Sequence, residues 1–180
     1  MKYLILIPTI FIFFFASCKK KKDTSSQLPA ATQIGANTFG CLINGELAKT
    51  SMYYSSWNSE GVEFTNLVGN YNYIYIHAQT KNPRRDFNFE IYFDGQLGTY
   101  TLYSHHNSKS FSCHYMDSTD KYGTIGGGIN DYFTDANHNG TITFTRFDGN
   151  VVSAIFEMEL VNINGEERKI TSGRLDIKTP

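Results

Sequence analysis

From about residue 39 onward the chain alternates between apolar and polar residues. Ala154, Phe156, Met158 and Leu160 fall on one side of an extended backbone, and Glu157 and Glu159 fall on the other. Successive side chains of a β-strand point to opposite faces, so a repeat of two specifies a strand with one buried face. The same repeat sets Phe87, Phe89, Ile91 and Phe93 against Asn88, Glu90 and Tyr92, and Leu175 and Ile177 against Arg174 and Asp176. Residues 73–78 alternate aromatic with aliphatic side chains and predict a strand covered on both faces. Residues 98–102 and 141–145 are rich in Thr and aromatics, as strands prefer. Phe144, Phe156 and Leu175 are expected to share one core. No amphipathic helical repeat of ten or more residues is visible.

Turn chemistry separates these runs. Asn44-Gly45 sits between two apolar stretches, and a two-residue hairpin of this kind needs residues that tolerate positive φ. Asp148-Gly149-Asn150, Asn164-Gly165 and Asp94-Gly95 punctuate in the same way. About ten short strands in one domain over residues 39–180 predict an all-β fold, an antiparallel β-sandwich or a partly open β-barrel.

The N-terminus has a different character. Met1-Lys2 is followed by an apolar run broken by Pro8 and Thr9, then by Phe15-Ala16-Ser17-Cys18. The run is too short for a membrane span, which needs about 20 apolar residues, and it suits an export signal. A basic start, an apolar stretch, two small residues and a cysteine resemble the lipobox of a bacterial lipoprotein. This predicts a signal peptide over 1–17 and a lipidated Cys18, with the membrane as partner through the lipid anchor. Lys19–Lys22 follow, suited to phosphate head groups. The absence of Asp directly after the cysteine points, by analogy with other bacterial lipoproteins, to the outer membrane, on its periplasmic or cell-surface face. Residues 18–38 read as anchor, basic run and flexible linker, rich in Ser, Thr, Ala, Gln and Asn and without periodicity.

Charge divides unevenly. Five of the 16 basic residues precede residue 23, leaving 11 against all 17 acidic ones, so the body carries about −6 while the whole chain carries −1. That excess argues against nucleic acid as a partner.

Candidate chemistry is sparse. Asp135, Asn137 and Asn139, followed by Gly140, match the first half of a calcium loop, but position twelve is Arg146 where a bidentate Glu belongs. His105, His106, Cys113 and His114 have no zinc spacing, and adjacent strand residues face opposite ways. Cys41 lies on the face of Phe39 and Ile43, and Cys113 on that of Phe111 and Tyr115. Both point inward, where they form either a disulfide or two buried thiols. Gly126-Gly127-Gly128 lacks the Lys-Ser/Thr of a phosphate loop, and no serine occupies a nucleophile elbow. Asp117, Asp120, Asp131 and Glu157 are the carboxylates available for pairing. Tyr53, Tyr54 and Trp57, in a chain with one Trp, cluster where the alternation weakens and offer faces for stacking on sugars. The expectation is a domain with no cofactor and no catalytic residues that binds an envelope protein, with a carbohydrate-binding module as the alternative.

The C-terminal third resembles a family of small Bacteroidota lipoproteins with a domain of unknown function. The resemblance is carried by residues 140–148, 152–158 and 170–177, with the opening residues 37–45. It implies a lipid-anchored all-β domain and brings no catalytic residues. In these segments Phe147, Asp148 and Ser153 flank a tight connection that an Asp or Ser side chain would brace. Gly173, within a strand, predicts a bulge or a close contact with another side chain.

Overall fold

The computed structural model describes residues 24–52, 61–68, 72–81, 84–93, 95–103, 111–117 and 130–179. They form eleven antiparallel strands: β1 (Thr38–Ile43), β2 (Glu46–Thr50), β3 (Gly61–Val68), β4 (Asn72–Lys81), β5 (Arg84–Tyr92), β6 (Gly98–Leu102), β7 (Phe111–Asp117), β8 (Asp131–Phe133), β9 (Gly140–Phe147), β10 (Val151–Val161) and β11 (Glu167–Lys178). A single 3-10 turn, Ser25–Gln27, precedes them. Among the described residues no helix is long and apolar enough to cross a membrane.

The strands make two sheets packed face to face, a β-sandwich. The first runs β2-β1-β11-β10-β9-β6 and the second β3-β4-β5-β7-β8. They join where the far end of β10 meets β8, at Val161 and Phe133. The core between them is aromatic. Phe39 of β1 lies 4.9 Å from Phe87 of β5, and Phe156 of β10 lies 5.0 Å from Phe89 of β5. Phe144, Phe156 and Leu175 are buried in this one cluster, as the alternation predicts.

The hairpin turns follow their sequence signals. Asn44 and Gly45 both have positive φ, 49° and 85°, so β1 and β2 are joined by the expected two-residue turn. Asp148 Oδ1 accepts the amides of Asn150 and Val151 at 3.1 and 3.0 Å and braces the β9–β10 connection. Ser153 does something else: its hydroxyl crosses to Asp176 on β11.

Two strands are longer than expected. β10 has 11 residues and β11 has 12. β11 is interrupted by a bulge that hides its continuity in the sequence. Phe156 pairs with Gly173 but Met158 pairs with Ile170, and Gly40 pairs with Arg174 but Leu42 with Thr171. One extra residue is therefore accommodated in β11 against both neighbours, with Ser172 at φ 55°. The Phe156 ring lies over Gly173, and a Cβ there would fall 2.3 Å from two ring carbons. Both readings of Gly173, bulge and close contact, hold together.

In residues 74–78, Ile74, Ile76 and Ala78 are buried in the core, and Tyr75 and His77 on the other, polar face are largely covered as well. One expectation is corrected. Residues 24–37 lack periodicity but are fastened to the body as a strap rather than hanging as a flexible linker. Leu28 is buried, and Pro29 packs so closely on Gly40 that a Cβ there would lie 2.5 Å from the proline ring. The fastening is Asp176, which alternation alone would place on the solvent side and which is 1% exposed. Its carboxylate accepts from the Thr32 hydroxyl at 2.6 Å, from the amides of Ile34, Gly35 and Ala36 at 3.1, 2.9 and 3.2 Å, and from the Ser153 hydroxyl at 2.8 Å. Burial raises the Asp176 carboxyl, but the hydrogen bonds from Thr32, Gly35, Ile34 and Ser153 outweigh it and hold it below its ordinary value.

Candidate functional site

The strap covers only part of the outer face of the first sheet. Arg174 of β11 reaches under it and donates to the Pro29 carbonyl at 3.0 Å. Beyond Ala31 the face is open. There β6, β9, β10 and β11 form the floor of a groove of about 590 Å³, lined by Ala31, Thr99, Thr143, Ile155, Glu157 and Arg174. Strand pairing sets these residues in rows. Thr99 pairs with Thr143, Thr143 with Ile155, and Ile155 with Arg174; in the next row Thr101 pairs with Thr141, and Thr141 with Glu157. The hydroxyls of Thr99 and Thr143 lie 2.8 Å apart. Ile155 is 49% exposed at the centre, an apolar side chain on a strand whose other solvent-facing residues include Glu157 and Glu159. The groove offers hydroxyl donors and acceptors, one carboxylate and one guanidinium around an apolar centre. Such a lining combines hydrogen-bonding groups with apolar contact.

A second cluster lies on the outer face of the other sheet. His77 of β4 stands between two carboxylates, with Nδ1 3.4 Å from Glu63 of β3 and Nε2 3.5 Å from Asp86 of β5. Gln79 donates to Asp86, and Arg84 Nε lies 3.4 Å from it. Burial raises the Asp86 carboxyl, but the bonds from His77 and Gln79 and the charge of Arg84 outweigh it and lower it. The cluster ties three strands together across an outer face. Its signal in the sequence is the polar half of the alternation, where a strand reading weighs the apolar half.

The sequence candidates fare differently. Cys18, Tyr53, Tyr54, Trp57, His105, His106, Asp120 and Gly126–Gly128 lie outside the described residues. Asp135 is spent on its own turn: Oδ1 accepts the amides of Asn137 and His138 at 2.8 and 2.6 Å and faces His138 Nδ1 at 2.9 Å. Residues 140–146, which would complete a calcium loop, are the extended strand β9, so the chain does not wrap around an ion with Asn137 and Asn139. Among the described residues no group of three or more His, Cys, Asp or Glu is placed to hold a metal. Cys41 and Cys113 face the core as expected, and of the two alternatives the structure has free thiols rather than a disulfide. Burial pushes both thiols well above their ordinary value, so they are unreactive. Asp131 is buried in β8 while Glu157 stands on the outer face of β10, so these two carboxylates do not form a pair. The groove was missed because its residues are unremarkable singly. Thr99, Thr143, Ile155 and Arg174 become neighbours only through pairing across four strands.

Comparison with protein families, curated proteins and solved structures finds no match to this chain.

Proposed function

We propose that this is a lipid-anchored envelope protein, held in the outer membrane through Cys18, whose β-sandwich works as a non-enzymatic binding domain for another envelope protein. The lipobox and the resemblance to the Bacteroidota lipoprotein family support the anchored half of the reading. The groove carries the other half: an exposed isoleucine ringed by Thr hydroxyls, Glu157 and Arg174 has the apolar centre and polar rim of a protein contact patch. Palmitate label should enter the wild-type protein and be absent from Cys18→Ala; label retained in that variant removes the anchor from the reading. A photo-crosslinking residue at position 155 of the anchored protein should yield one discrete adduct with an envelope protein. No adduct from position 155, with the protein folded and anchored, overturns the partner-protein reading.

The Thr rows favour a second reading, in which the partner is a glycan. Thr hydroxyls brought side by side by strand pairing can bond the hydroxyls of a glycan, and Tyr53, Tyr54 and Trp57, outside the described residues, are the stacking faces the sequence offers. Under that reading polysaccharides perturb the Trp57 emission, and Trp57→Ala abolishes their binding.

A further inference from the structure

The strap gives the domain a direction relative to its anchor, an inference that rests on lipidation at Cys18. The Thr24 hydroxyl donates to the Gly45 carbonyl at 3.2 Å, and Lys49 Nζ to the Gln27 carbonyl at 3.1 Å. The strap therefore enters at the end of the first sheet that carries the Asn44-Gly45 turn. It leaves at the opposite end, where Asn37 Oδ1 accepts the Lys178 amide at 2.9 Å. Cys18 is six residues before Thr24. Six residues span at most about 20 Å when fully extended. From Lys169 to Thr179, along β11, is roughly 30 Å at strand rise. With the strap in place, the anchor reaches the entry end and falls short of the other.

We infer that the end bearing the 44–45 and 162–166 turns faces the lipid surface, and that the 148–150 turn points away from it. At the entry end the 162–166 turn projects beyond the 44–45 turn. Asn44 is level with Lys169, through hydrogen bonds of 2.8 Å in each direction, and β10 and β11 continue past that level to Val161 and Glu167. The turn is braced. Asn162 Oδ1 accepts the amides of Asn164 and Glu166 at 3.0 and 2.8 Å. Glu166 Oε2 accepts from Asn162 Nδ2 and the Tyr132 hydroxyl, each at 3.1 Å. The braced turn holds Ile163 outward, 68% exposed.

Charge fits the same arrangement. Acidic side chains at this end are matched by basic ones, Glu46 by Arg85 at 2.8 Å and Glu159 by Lys169 at 3.0 Å, so no strong negative field holds it off the head groups. The Lys19–Lys22 run, in sequence between the domain and the anchor, is suited to anionic head groups.

The test uses the full lipidated protein in vesicles of phosphatidylcholine and phosphatidylglycerol containing a head-group nitroxide quencher. A fluorophore is placed at Ile163→Cys or at Asn150→Cys; Cys41 and Cys113 are buried and stay unlabelled in the folded protein. The label at 163 should be quenched several-fold more than the label at 150. Equal quenching, or stronger quenching at 150, overturns the orientation. Flotation separates the two claims. If the protein fails to float with the vesicles, or if Cys18→Ala floats equally well, the anchor reading falls and the orientation falls with it. A protein that floats through Cys18 but shows no difference between labels refutes the orientation alone.

Discussion

Phe156→Ala is expected to lower the free energy of unfolding by roughly 3–5 kcal/mol, a large part of what a domain of this size has. The ring is 4% exposed, stacks 5.5 Å from Phe39, meets Phe89 edge-on at 5.0 Å and rests on Gly173. Removing it empties the junction of both sheets. Gly173→Ala is expected to destabilise for the opposite reason. Its Cβ would enter the ring, and such overpacking costs about 1–3 kcal/mol. The two costs should not add. In the double variant the new methyl group occupies space that the ring has vacated, so Gly173→Ala should cost much less there than in the wild type. Urea midpoints of the four proteins measure this. Additive losses, or a Phe156→Ala midpoint near that of wild type, would remove the contact from the account of the core.

Asp176→Asn is expected to cost roughly 3–5 kcal/mol at neutral pH, the scale of breaking a buried charged network. Five donors converge on the carboxylate, and an amide in its place turns an NH₂ group toward some of them. The pH dependence has a definite sign. The folded carboxyl lies below its ordinary value, so its contribution is complete above the unfolded value of about 3.9 and is lost as the pH falls toward the folded one. The gap in stability between wild type and Asp176→Asn should be constant from about pH 5 to 8 and narrow below about pH 4. Chemical denaturation at several pH values reads it directly, and a gap unchanged down to pH 3 would show that the ionised carboxylate is not what the strap requires.

Asp176 also marks where a sequence stops being readable. Alternation places it correctly on the face opposite Leu175 and Ile177. It does not reveal that residues 32–36, some 140 positions earlier in the chain, would cover that face. The fold class, the turns at 44–45 and 148–150, and the shared core of Phe144, Phe156 and Leu175 were all legible, because each depends on neighbours in sequence or on a period of two. β3 and β8 are not visible in the sequence: in β3 the apolar alternation of Val62 and Phe64 breaks at Asn66, and β8 has only three residues in which to show a period. The full extent of β11 was hidden by its bulge, which resets the phase at Ser172 so that residues on either side no longer keep one count. The groove was illegible for a different reason. Its members are spread over four strands and share no motif, and only the register between strands assembles them.

The strap also sets the order in which the molecule can be finished. Thr32 and Asp176 are 144 residues apart, so the seam between them closes nearly the whole chain. The entropic cost of closing so long a loop rises only with the logarithm of its length, but no strap can lock before its partner exists. A chain delivered N-terminus first presents the residues of the strap while β11, the strand that pairs with both β1 and β10, is still to come. Until that strand arrives, β1 has only β2 beside it and the residues destined for the strap have nothing to hold. Folding of this domain therefore waits on its last strand, and residues 32–36, early in the chain, are among the last to settle.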